Sequence, residues 1–118
     1  MKKLILLLVF ALVASAQITK VSSTTVTATA GPITCVFSSQ TPQAPTGVSA
    51  TCALSGNNQL TMTTVVPIGT GNGIAGSYNP AGGAVTWIFT QASATSGIAY
   101  SIVATPSGGN AATGSGTF

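Results

Sequence analysis

The chain has 118 residues, 45% of them apolar, with no Asp, Glu or His and three Lys or Arg in total. All three are lysines, and because Lys2 and Lys3 stand at the amino terminus, Lys20 is the one charge in the body of the chain. So few charges leave no patch to neutralise phosphates, which excludes nucleic-acid binding and attraction to anionic membranes.

Residues 1–16 place Lys2 and Lys3 before an apolar run from Leu4 to Val13 and close on Ala14-Ser15-Ala16. This is the charged, apolar and small-residue order of a secretory signal peptide, with cleavage expected before Gln17. The apolar run is too short for a transmembrane helix, which needs roughly 20 residues, and no later stretch reaches that length. No cysteine stands directly after the cleavage point, so a lipoprotein-type anchor is not expected. The expectation is a secreted or cell-surface protein with one domain over residues 17–118, about 100 residues being enough for one.

Low charge with much Ser, Thr and Gly raises the question of disorder. Disorder goes with low hydrophobicity and high net charge, and the apolar fraction and many β-branched residues point instead to an ordered β domain. Gln17 to Ala30 reads as one extended strand ended by Gly31-Pro32. Ile33, Cys35 and Phe37 then alternate with Thr34, Val36 and Ser38. Ser39 to Gly47, with Pro42 and Pro45, reads as a loop. Val48, Ala50, Cys52 and Leu54 share one face of the next strand. Ser55 to Asn58 reads as a turn, and Gln59 to Val66 as a strand with Leu60 and Met62 in register.

Pro67 to Gly73, PIGTGNG, reads as a glycine-rich loop leading to a short segment, Ile74 to Tyr78. Asn79 to Gly83 is turn chemistry. Ala84 to Gln91, with Val85, Trp87 and Phe89 on one face, is the clearest strand. Ile98, Tyr100 and Ile102 alternate in another, and Ala111 to Phe118 is a weak last strand. About seven or eight short strands with turns every ~8 to 12 residues predict an antiparallel β-sandwich of immunoglobulin-like architecture. The likeness is architectural, because the cysteines are closely spaced and Trp87 follows both. A faint echo relates Gly73-Ile74-Ala75 and Pro80 to Gly83 with Gly97-Ile98-Ala99 and Pro106 to Gly109, which two similar hairpins explain.

Cys35 and Cys52 lie 17 positions apart in a chain expected to be exported, so they are expected to form a disulfide. Pairing them across adjacent strands sets Ser39 opposite Val48 and leaves Gln40 to Gly47 as the connection. Such a bridge contributes about 3 kcal/mol in the chain-entropy model. No metal site is expected, since two cysteines do not complete a zinc shell and a calcium site would lack carboxylates.

Catalysis is not expected either. Acid–base chemistry near neutrality needs His, Asp, Glu or a tuned Lys or Cys, and the many hydroxyls have no base to activate them. Lys20 is the one candidate base and has no visible partner. The GTGNG at 69–73 lacks the following Lys-Ser/Thr of a phosphate loop. No Asn-x-Ser/Thr sequon occurs, and the Thr19 to Thr29 stretch reads as an ordinary strand rather than an O-glycosylated segment.

Two functional expectations remain. The first is a non-catalytic structural or interaction module that self-associates or takes a protein partner by strand addition, because its edges lack charged gatekeepers. The candidate edges are Ile18 to Ala30 and Ala111 to Phe118. The second is a module for uncharged ligands such as glycans, with polar loops around Asn57 to Gln59 and Thr70 to Tyr78. Its contact residues would be Asn57, Asn58, Asn72 and Tyr78, the one aromatic expected to be largely exposed; Trp87 and Tyr100 are expected in the core.

Overall fold

The computed structural model describes residues 15–39, 46–55, 57–93 and 96–118. These form two antiparallel sheets that share one apolar core in a sandwich-like, all-β arrangement. The first sheet contains β1 (Ala16–Ser22), β2 (Thr25–Ala30), β3 (Ile33–Ser39), β4 (Thr46–Leu54) and β5 (Asn57–Val66). The second contains β6 (Gly69–Tyr78), β7 (Gly83–Gln91), β8 (Ala99–Pro106) and β9 (Ala112–Thr117). Nine strands are thus present among the described residues, against the seven or eight expected.

In both sheets the spatial order is the chain order. Each sheet is a meander, whereas immunoglobulin sandwiches use Greek-key connections. The immunoglobulin likeness therefore does not extend to the connectivity. No helix among the described residues is long and apolar enough to cross a membrane.

The alternation read from sequence builds the core directly. Val26, Ala28 and Ala30 of β2, Ile33, Cys35 and Phe37 of β3, and Val48, Ala50 and Cys52 of β4 are all buried. Opposite them lie Val85, Trp87 and Phe89 of β7 and Tyr100, Ile102 and Ala104 of β8. The sheets meet through rings edge to face, with Phe37 5.0 Å from Trp87 and 5.9 Å from Phe89 between centroids. Such contacts add stability beyond the area they bury.

Three local readings are corrected. Gln17 to Ala30 is not one strand: Ser23-Thr24 turns the chain, β1 pairs back on β2, and β2 lies inside the sheet with Val26 buried. Asn57 and Asn58 belong to β5, paired with Leu54 and Ala53, so the turn before them is shorter than expected. The PIGTGNG segment runs largely within β6, where Gly69 pairs with Gln91 and Ile74 with Phe89, so residues 70–73 stand opposite Thr90 alone. The excess length read as a loop is a bulge in an edge strand, and Asn72 Nδ2 closes it by donating to the Ile68 carbonyl at 3.0 Å.

β6 holds as a strand because β7 supplies the side chains it lacks. Trp87 stands directly opposite Gly76 and lays its indole over it. At the β2–β3 turn Gly31 has φ 59°, the left-handed conformation that a tight two-residue hairpin asks of its first central residue. The two hairpins of the sequence echo do share their turn chemistry: Gly83 N donates to Pro80 O and Gly109 N to Pro106 O, each at 3.2 Å.

The first strand begins at Ala16, paired with Ala30, and Gly31 N donates to Ser15 O. The expected cleavage before Gln17 thus falls at the first residue of β1. Residues 1–14, which carry most of the expected signal, lie outside the described residues.

Candidate functional site

Cys35 and Cys52 are direct partners on β3 and β4 and form a disulfide. The expected register is found along the whole ladder, including Ser39 opposite Val48. The connection is shorter than expected, since Thr46 and Gly47 already pair with Val66 and Val65 of β5; residues 40–45 lie outside the described residues. Both cysteines are fully buried on the core side of the first sheet. That position suits a staple between two core strands and leaves no access for thiol exchange.

The four residues expected to contact a ligand do not converge. Strand directions put Asn57, Asn58 and Tyr78 toward the end of the sandwich that holds the β2–β3 and β6–β7 turns. Asn72 sits in the β6 bulge toward the other end, with its amide committed to Ile68. Tyr78 is half-buried against the core rather than largely exposed, and its hydroxyl is buried without a hydrogen-bond partner. Trp87 and Tyr100 are both buried, so no exposed pair of rings exists among the described residues for a sugar to stack on.

A cleft of about 200 Å³ opens at the opposite end, lined by Ser23, Thr24, Ser39, Gln91, Ser96 and Phe118 among others. The sequence reading missed Gln91, the one buried polar residue among those described. Its position is the signal: it ends the β7 alternation on the core-facing side. Its Nε2 donates to the Ser96 carbonyl at 3.1 Å, which ties Ser96 to the end of β7. Among the described residues no three His, Cys, Asp or Glu cluster as metal ligands.

The most informative polar contact belongs to Lys20. It stands opposite Val26 on β1, so its side chain leaves the strand on the core-facing side. Its ammonium reaches across the sandwich and donates to the Thr117 carbonyl on β9. Beside it, Ile18 packs on Gly114 of β9. Lys20 is exposed, but a charge on the core-facing side of an edge strand is a known device against unwanted strand pairing, and here it sits where the β1 and β9 edges meet.

The opposite side of the sandwich, formed by β5 and β6, carries no charge and exposes apolar side chains. Met62, Val65 and Ile68 are all exposed there, Val65 by 60%. The sequence reading placed the open edges on Ile18 to Ala30 and on the last strand. Of these, β2 is internal, while β5 and β6 are edges that it did not identify.

No protein-family description, curated protein or solved structure matches this chain.

Proposed function

We propose that this is an exported, non-catalytic structural or interaction module that works by pairing its sheet edges with other strands. The observation that carries the reading is the uncharged, apolar β5–β6 side. Both sheets end there with no Lys, Asp or Glu among the exposed residues, and β5 has no bulge from Leu60 to Val66. Natural sheets blunt such edges with charges, prolines or bulges when they must stay single. Export enters the proposal through the signal-like residues 1–16, and a protein partner or a second copy is the expected occupant.

The test is fractionation of cells that make the chain. The reading expects it outside the cytoplasm, in complexes larger than one chain. Recovery as a cytoplasmic protein, or as a free monomer bound to no surface component, would contradict it. Glycan binding through Asn57, Asn58, Asn72 and Tyr78 is the weaker reading, because these residues are dispersed or already engaged.

A further inference from the structure

We propose that β5 is the docking edge and that its partner is a second copy of this chain, the two β5 strands running antiparallel about Met62. The proposal rests on the reading of an edge-pairing module and names its edge and its partner.

Four strands end the two sheets, and three of them are obstructed. β1 carries the inward Lys20 and a register shift between Lys20 and Ser22. β9 lies against β1 through Ile18 and Gly114, and its Thr117 carbonyl already accepts from Lys20. β6 is bulged over residues 70–73, and a bulge bends an edge away from pairing. β5 has the longest unbroken run of pairs of the four, from Leu60 opposite Cys52 to Val66 opposite Thr46, with no lysine, proline or bulge in that span; its one register shift, between Cys52 and Ala53, lies before Leu60.

The backbone phase follows from the disulfide. The Cys35 and Cys52 Cα atoms are 4.0 Å apart, the spacing of a non-hydrogen-bonded antiparallel pair. Cys52, Ala50 and Val48 therefore turn their peptide groups toward β5 and bond Leu60, Met62 and Thr64. By alternation Thr61, Thr63 and Val65 turn their N–H and C=O groups to the open edge. The close Ser49 Oγ and Thr63 Oγ1, 3.2 Å apart, fit the same phase, since side chains approach most closely in non-hydrogen-bonded pairs.

This edge complements itself. With Met62 opposite Met62 of the second copy, Thr61 faces the copy's Thr63 on the outer surface and Leu60 faces its Thr64 on the inner one. The hydroxyl row that runs from Ser49 to Thr63 then continues into the β5 sheet of the second copy, and threonine pairs of this kind stabilise neighbouring strands. The exposed Met62 side chains cover each other. A two-fold contact brings the same edge of both chains together, so a charge on it would lie near its own copy; this edge carries none. A charged partner would find no counter-charge here.

Amide hydrogen exchange on the mature protein, at rising concentration alongside mass measurement, tests this. Exchange at Thr61, Thr63 and Val65 is expected to slow roughly tenfold or more as the mass doubles, with amides of β9 unchanged. Doubling accompanied by protection on β1, β6 or β9 instead would overturn the choice of edge and leave edge pairing standing. A mass that stays at one chain would overturn both. A folded Thr63→Lys variant should associate roughly tenfold or more weakly, and Thr113→Lys on β9 should not. Undiminished association of folded Thr63→Lys would also overturn the proposal, and the exchange measurement needs no variant.

Discussion

The indole of Trp87 lies across Gly76, its direct partner on β6, so closely that a Cβ at Gly76 would fall 2.5 Å from Nε1. On the other side of the second sheet Tyr100 does the same to Gly116 of β9, where a Cβ would meet its hydroxyl at 2.8 Å. Both edges of this sheet are glycine-rich strands roofed by an aromatic ring from an inner strand, the arrangement known as aromatic rescue. Gly76→Val should therefore destabilise the protein by about 1–3 kcal/mol through overpacking. Gly71→Val, at a position with nothing within 4 Å of its Cβ, should stay within roughly 0.5 kcal/mol of the parent. Denaturant midpoints at constant slope distinguish the two.

The disulfide is a fully buried cross-strand staple. Replacing Cys35 and Cys52 together by Ala should lower stability by about 3 kcal/mol. In the native protein a thiol reductant should leave the bond intact until the sandwich opens. Urea titration of the variant and thiol trapping under native conditions check the two halves of this expectation.

Tyr78 offers a test against the glycan reading. Its hydroxyl is buried with no partner, a state that costs on the order of 1–3 kcal/mol. Tyr78→Phe should therefore leave the thermal midpoint unchanged or raise it. A clear loss of stability would show that the hydroxyl has a partner, and a loss of sugar binding would revive Tyr78 as a contact.

Stability depends on pH only through groups that bind protons differently in the folded and unfolded states. The sequence contains no Asp, Glu or His, so no side chain has a reference pKa between about 3 and 8. The thermal midpoint should be nearly flat across that range. A steep fall on acidification would contradict this.

Lys20, donating to the Thr117 carbonyl, guards the β1–β9 side. Lys20→Gln removes the inward charge while keeping a long polar side chain, and should bring a second associating edge into play. Chains then have two pairing sides, so the variant should form species larger than dimers where the parent does not. Light scattering at matched concentrations measures it.

Much of this fold was legible because the core strands carry their own pattern. Ile33, Cys35 and Phe37, or Val85, Trp87 and Phe89, alternate strictly and are buried as read. The cysteine register followed from pairing two such strands. β6 was not legible, because a run such as GTGNG has no side chains to show a period; its strand state depends on Trp87 above Gly76 and on Asn72 closing the bulge. The β1–β2 turn was hidden because Ser23 and Thr24 sit in a Ser/Thr run where nothing marks a turn. The edges followed these misreadings, so the uncharged β5 edge emerged only from the strand order.

Pairing through an uncharged sheet edge is measured by sedimentation velocity of the mature chain over a wide concentration range. A reversible shift from one chain to two is expected as concentration rises, little affected by salt because no charge lies at the contact. A single-chain boundary that persists to the highest soluble concentration, with no surface component bound, would contradict it.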